Sequence, residues 1–567
     1  MTVRDLSRNA ARAPPFPEHR PPANIIAAME RRASAPPERK PPVSAPAIPA
    51  RARAALLFAA AAALSSAVGC RSPKEIWSAA AEVEGRPGEI QTVAWDTDLD
   101  GAADYRQFRD PATGVVDTLQ FRGPDGLWEK PYRPAEDKSP KRTLVVMLDG
   151  MPHALLDELW AEGRFRLFHR PSKVVSVFPS MTDPAYGEML CANPVKGYEP
   201  LFFDRSANRF NGGTTAYLTG ENEPWRPMLD YRQSYMVDAV AYVYPQQLAY
   251  NEVLKSYERW RDAQPQQGVW YFASSDAMGH MAGWRGCKEY LAHIDKLLER
   301  VYWECRGRIE MVMFADHGNS FVPSARVPLL EHLRREKLHL ADRLTGSSDT
   351  CVVPTLGMIS SVAMYVDTEE ARARAERALA KTPGVDLFAW RRDGRYYVRS
   401  RDQIAEIEPR GDRRFAYRPI AGDPLRLKTV VGRMQAAGRM DSDGFADEDD
   451  WLAATIDHPY PDAPQRIVRG LDGSLVTNPA DILISLADGW YWGDYSIDIP
   501  AGLNGTHGAL GAGHTNTFFA STVAPGPKFF RQADMLSVIN RTSFRFVPQF
   551  PGVNCGCLRK QVPTLPA

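Results

Sequence analysis

The sequence predicts an α/β fold with a mostly parallel central sheet flanked by helices, a small N-terminal β region and a cap-like insertion. Three observations lead there. The runs Thr143–Leu148, Gly268–Ala273 and Ile309–Ala315 are predominantly apolar, the first of them continuously so, as strands buried on both faces are. An ionisable side chain follows each run at once or within three residues. Between the second and third runs, Leu291, Ile294, Leu297, Leu298 and Val301 keep a helical spacing. Strand, helix, strand in series implies parallel strands covered by helices.

The chain has 567 residues, enough for one large α/β domain with additions. Hydrophobic residues make up 44% and charged residues 24%, a balance that can bury a real core. Its 69 basic and 69 acidic residues cancel, so binding of duplex nucleic acid through bulk charge is not expected. A small anionic substrate remains open to it, because a local metal site attracts anions without net positive charge.

Residues 1–53 are crowded with Pro, Ala and Arg and cannot pack a core. They read as a disordered segment, or as one of which part is never made because translation begins later, for instance at Met29. Residues 54–70 follow Arg51-Ala-Arg53 and run apolar from Ala54 to Val68 before Gly69-Cys70. A basic start, a short apolar stretch and small residues at its end describe an export signal. The run is too short and too Ala-rich for a membrane span. Ala67-Val-Gly-Cys70 is similar to a bacterial lipobox, which would make Cys70 a lipidated N-terminus and anchor a periplasmic protein to its membrane. Plain secretion and a buried Ala-rich helix are the alternatives. Setting Cys70 aside leaves six of the seven cysteines, an even number that suits an oxidising compartment. Cys555-Gly-Cys557 reads as a disulfide partner or free thiols rather than a metal motif.

Residues 71–140 form a small β region, with strands expected at Ile90–Trp95, Tyr105–Phe108 and Val116–Phe121. Between the first two lie Asp96, Asp98, Asp100 and Asp104, with Gly101 among them. Alternate aspartates before a glycine can wrap Ca2+, although the twelfth position is Gln107 where a Glu is usual. An Asp-rich hairpin turn is the other reading. The main domain spans 141–550, with an insertion at about 340–500 and a tail at 551–567. Within the insertion, Tyr417–Pro424 and the acidic run Asp441–Asp450 read as surface or cap elements. Trp490, Tyr491, Trp492 and Tyr495 make an aromatic cluster whose commoner fate is core packing.

The three strand ends define the candidate site, because ligands in such sheets bind beyond the carboxyl ends of the strands. Asp149, Asp276, His280, Asp316 and His317 offer carboxylate and imidazole, which zinc and similar metals accept. Asp276 and His280, four apart, can aim at one ion from a single helical turn. The adjacent Asp316 and His317 can serve two neighbouring ions. After Val174–Phe178, Thr182 sits on a turn framed by Pro179 and Pro184. A threonine hydroxyl becomes a nucleophile at neutral pH only with help such as a nearby cation.

Taken together, Val-Val-Met-Leu-Asp149-Gly, Val-Phe-Pro-Ser-Met-Thr182, Asp276-Ala-Met-Gly-His280, Ala-Asp316-His317-Gly and Gly-Thr-His507-Gly resemble the alkaline phosphatase superfamily. They are most similar to its type I phosphodiesterase/nucleotide pyrophosphatase branch, over residues 141–530. The resemblance implies one divalent metal, zinc by preference, on Asp276, His280 and His507. It implies a second on Asp149, Asp316, His317 and Thr182. Thr182 would attack phosphorus and form a phospho-threonine, which water then hydrolyses. The expected activity is hydrolysis of phosphate mono- or diesters on a small phosphorylated substrate. Phosphate transfer within a substrate, as in a phosphomutase, and an inactive cell-surface binding relative are the alternatives. Register favours Thr182 over Ser180 and His507 over His514. Asn208 and Asn211 are the candidates for a family asparagine that holds a phosphate oxygen. Relatives often carry an asparagine soon after the nucleophile, where this chain has Asp183-Pro184-Ala185. The Cys-x-Pro-x-Arg motif of sulfatases is not found at the nucleophile, and Arg259-Trp-Arg261 does not supply the Lys-x-Arg pair of strict monoesterases.

Overall fold

A computed structural model describes residues 80–84, 91–97, 100–221, 223–234, 237, 241–242, 244–494, 502–542 and 544–561. The Pro-rich segment, the export-signal segment with Cys70, Asp98 and Tyr495 lie outside the described residues.

Six strands form the central sheet, in the order Phe529–Arg531, Ser172–Val175, Asn516–Ser521, Ile309–Ala315, Arg142–Leu148, Gln267–Phe272. The three strands read from the sequence lie side by side and parallel, with Leu148 paired to both Ala315 and Phe272. Their carboxyl ends are therefore level, and Asp149 and Asp316 leave the sheet together. The sheet as a whole is mixed, five of its strands running one way and Asn516–Ser521 the other. Asn516–Ser521 runs antiparallel to both of its neighbours. The reason is connectivity. The chain returns from the insertion along the carboxyl-end edge, where it delivers His507, so the strand that follows has to run the other way.

Helix Ser274–Glu304 follows the Gln267–Phe272 strand directly. It kinks at Gly283, whose φ is 62°. The segment before the kink carries Asp276 and His280. Beyond it, Leu291, Ile294, Leu297, Leu298 and Val301 are all buried against the sheet, the face the spacing predicts. His153–Ala161 is helical, and Leu155, Leu156 and Leu159 bury its inner side.

The N-terminal β region is a four-stranded antiparallel sheet, Ala80–Glu84, Gln91–Asp96, Tyr105–Arg109 and Val116–Phe121. Its first strand has no counterpart among the predicted ones. Val93, Trp95, Tyr105, Leu119 and Phe121 share a core with Ile294 and Leu298 of the long helix. In the acidic loop, Asp104 accepts from the Thr97 amide and hydroxyl, Asp96 from the Gly101 amide, and Asp100 from the Ala102 amide.

The insertion is more than a set of surface elements. It builds a seven-stranded antiparallel sheet from Ser361–Met364 to Ala446–Asp447, with Ile482–Leu486 as its second strand. Helices Glu369–Lys381 and Ala463–Leu471 pack on it, and Leu483, Ile467 and Leu471 lie in its core. Tyr491 and Trp492 are buried. Cys191 and Cys557 form a disulfide, while Cys555 is an exposed free thiol. Among the described residues, no helix is long and apolar enough to cross a membrane.

Candidate metal centre and nucleophile

Sheet register, a helix start and a returning loop bring six side chains together. Asp149 and Asp316 extend directly from parallel strands. Asp276 stands in the first turn of the long helix, with His280 one turn on. His507 arrives on the loop before Asn516–Ser521. Gly150, between Asp149 and the next helix, has a φ of 67°, and a Cβ there would lie 3.0 Å from Asp276 Oδ1. Both the left-handed backbone and the close approach require glycine.

Two groups of ligand atoms result. Asp276, His317 and His507 form one, and Asp149, Asp316 and His317 the other, each with its atoms within 4.8 Å of one another. His280 joins the first through Nε2, 3.3 Å from Asp276 Oδ2. His507 Nε2 lies 3.5 Å from Asp276 Oδ1. His317 Nε2 lies 3.5 Å from Asp149 Oδ1 and 3.4 Å from Asp316 Oδ2. His280, Asp316, His317 and His507 are at most 5% exposed.

The donor set fits a divalent cation. Each histidine has its Nδ1 beside a backbone carbonyl: Gly505 for His280, Gly318 for His317 and Ser180 for His507, at 2.9, 2.9 and 3.0 Å. An Nδ1–H that donates to a carbonyl leaves the Nε2 lone pair facing the cluster, the arrangement metal-binding histidines use. Asp276 Oδ1, Asp316 Oδ2 and His317 Nε2 are buried without a hydrogen-bond partner. Such orphaned polar atoms are costly unless something bonds to them.

The electrostatics agree. Burial pushes the Asp149 carboxyl well above its ordinary range, reinforced by the negative charges of Asp316 and Asp276. Burial likewise raises Asp316 to about 7. At Asp276 burial works against ionisation, but His280 and His507 outweigh it and hold the carboxyl far below the usual range. Burial lowers His317 strongly and brings His507 down to about 4, so both imidazoles are neutral and able to ligate at neutral pH. Carboxylates crowded this closely repel one another, and a cation between them would relieve that.

Thr182 is the first residue of helix Thr182–Met189 and is half-buried. Its Oγ1 lies 3.4 Å from Asp149 Oδ1. Ser180 Oγ instead donates to the Val177 carbonyl, 3.0 Å away, inside the turn. His514, the rival to His507, pairs with Asp488 at 2.9 Å. Asn208 and Asn211 are engaged elsewhere. The Asn208 amide bonds the Leu344 carbonyl and amide, and Asn211 donates to Asp204. The ligand set read from strand ends leaves out two tyrosines. Tyr271 donates to Asp149 Oδ2 at 2.6 Å, and Tyr242 to Asp276 Oδ2 at 3.0 Å. Tyr271 lies within an apolar strand and reads as core; only the pairing of its strand with Arg142–Leu148 sets its hydroxyl beside Asp149.

Residues 181–407 match the family model of type I phosphodiesterase / nucleotide pyrophosphatase. The matched stretch opens one residue before Thr182 and contains Asp276, His280, Asp316 and His317, and it supports a hydrolase of that type. Solved structures similar to this chain include human and murine ectonucleotide pyrophosphatase / phosphodiesterase 5. Each is 12% identical with a TM-score of 0.39, over 72% of this chain and 96% of that one. An inactive form of the same murine protein, in complex with AMP, is similar at 12% identity and a TM-score of 0.37, with the same coverage. No curated protein matches the chain.

Proposed function

We propose that this chain hydrolyses phosphate esters at a two-metal centre with Thr182 as nucleophile. The observation that carries the reading is the convergence of three buried, unpartnered ligand atoms, Asp276 Oδ1, Asp316 Oδ2 and His317 Nε2, beside three histidines oriented by backbone carbonyls. Asp276, His280 and His507 would hold one metal, and Asp149, Asp316, His317 and the Thr182 oxygen the other. Mixed carboxylate and imidazole donors favour zinc. When bound, the metals supply charge that draws in the phosphate and lowers the pKa of hydroxyl and water.

The chain's own residues do the rest. Asp149 sits where it can orient the Thr182 hydroxyl, and the Tyr271 hydroxyl holds Asp149 in turn. Thr182 stands at a helix N-terminus, where backbone N–H groups and the helix dipole favour a phosphoryl group. Thr182 and Asp276 are the more exposed members of the cluster, so substrate would enter on their side.

We also propose export. The Arg51–Cys70 pattern and the Cys191–Cys557 disulfide support it. Recovery of the chain without a lipid on Cys70 would leave plain secretion.

The test pairs an aryl phosphate monoester with an aryl phosphate diester, using zinc-loaded full-length protein. Release of aryl alcohol from either is expected, and Thr182→Ala abolishes it while zinc content stays near that of the unaltered chain. Full activity in Thr182→Ala sinks the nucleophile. Consumption of the monoester without release of inorganic phosphate indicates transfer, and no bound zinc after loading indicates a binding protein.

A further inference from the structure

Arg466 stands on helix Ala463–Leu471 of the insertion, at 2% exposure. Its guanidinium makes five hydrogen bonds, all to neutral acceptors. The nearby Asp462 carboxylate is taken bidentately by Arg531, at 2.6 and 3.1 Å. Burial brings Arg466 down to about 9, which still leaves it charged at neutral pH. A buried cation without a carboxylate of its own is costly, and its hydrogen bonds show what it holds.

Four of them clamp the two segments that deliver the nucleophile and the last histidine. Nη2 donates to the Val177 carbonyl at 3.0 Å and to Ser180 Oγ at 3.2 Å, both in the turn before Thr182. It also donates to Thr515 Oγ1 at 2.8 Å, and Nη1 to the Leu510 carbonyl at 3.0 Å, both in the segment after His507. Nη1 completes the set on the Pro461 carbonyl at 3.1 Å. Ser180 joins the two sides. Its carbonyl lies 3.0 Å from His507 Nδ1, and its amide donates to the Gly508 carbonyl at 3.3 Å.

We propose that Arg466 is a positioning residue, which acts through Ser180 to set the Thr182 turn and the orientation of the His507 imidazole together. The proposal rests on the roles given to Thr182 and His507 above. A planar fork that reaches five acceptors is available to arginine and not to lysine, whose ammonium is a point charge on a flexible stem. Arg466→Lys keeps the buried charge and loses the fork.

The experiment uses the full chain, stripped of metal and titrated with zinc, and then assayed on the paired aryl phosphate esters. In Arg466→Lys the zinc dissociation constant rises by about tenfold, the scale of other residues that orient metal ligands. Its kcat falls by about tenfold or more with KM little changed, because turnover depends on alignment reached in the transition state. Ser180→Ala, which retains the arginine, moves both readouts in the same direction, and it alone decides the matter should Arg466→Lys fail to fold. A purely structural arginine would lower the melting temperature and leave kcat per zinc-loaded molecule unchanged. Zinc affinity and kcat within twofold of the unaltered chain in the folded variants overturn the proposal while the two-metal reading stands. An unaltered chain that binds no zinc and cleaves neither ester overturns both.

Discussion

The imidazole of His317 lies stacked on that of His507, with ring centroids 4.0 Å apart and 15° between the planes. One extends from a central strand and the other from the loop that returns after the insertion. Their Nδ1 atoms face different backbone carbonyls, Gly318 and Ser180, and both Nε2 atoms lie near carboxylates of the cluster. Two neutral imidazoles can be held this closely, whereas two imidazolium ions would repel.

On the proposed two-metal reading, His507→Ala is expected to weaken zinc binding by tenfold or more, about the loss seen when a ligand or its close support is removed. His514→Ala leaves zinc binding near that of the unaltered chain, since His514 is spent on Asp488. Zinc titration of the two variants, side by side, separates the two histidines. Equal losses in both would contradict the assignment.

Tyr271→Phe removes one hydroxyl and little volume. Asp149 then loses the 2.6 Å donor on Oδ2 and is free to turn away from Thr182. A fall in kcat of about 10-fold to 100-fold is expected, with the fold retained, in line with other residues that orient ligands. Circular dichroism and the aryl ester assay check the two halves of that expectation.

Stability carries a pH signature from Glu299, a residue of the long helix buried against the N-terminal sheet. Burial, and then the charge of Asp295, raise Glu299 to about 8, against the donors Tyr105 and Gln107 and the charge of Arg109. In the unfolded chain it ionises near the ordinary 4.5. The native state then binds more protons across that interval, so this contribution is present below about 4.5 and is lost as pH climbs to about 8. Melting temperature is expected to decline over that window. Glu299→Gln flattens the decline, and an unchanged slope would show that Glu299 is ionised in the native state.

The Cys191–Cys557 disulfide closes a loop with a sequence separation of 366 and ties the C-terminal helix, Cys555–Gln561, to the residue after Leu190. Cys557→Ser is expected to cost about 2–5 kcal/mol of stability through the freed unfolded chain. Denaturant unfolding with and without reductant measures it. The variant should match the reduced unaltered protein.

Much of this site was legible because the chemistry is written into strand ends. An apolar run that stops at an aspartate announces both a buried strand and a carboxylate at its carboxyl edge, and Asp149, Asp316 and His317 were readable on that ground. Asp276 and His280 were readable because four residues make one helical turn. Tyr271, Tyr242, Ser180 and Arg466 were not, since each acts through a partner far away in sequence and none stands in a pattern that separates it from ordinary core or turn residues.

Sequence by itself determined the candidate side chains, the strands that end at Asp149 and Asp316 and the amphipathic helix between, because these depend on local periodicity and on the chemistry of side chains. Only the tertiary structure decided that Asn516–Ser521 runs antiparallel, that the insertion is a seven-stranded sheet with its own core, and that Asn208 and Asn211 turn to other partners. It also decided which carbonyl orients each histidine. Those outcomes depend on strand pairing and on contacts between distant segments, whose free energy no local pattern records.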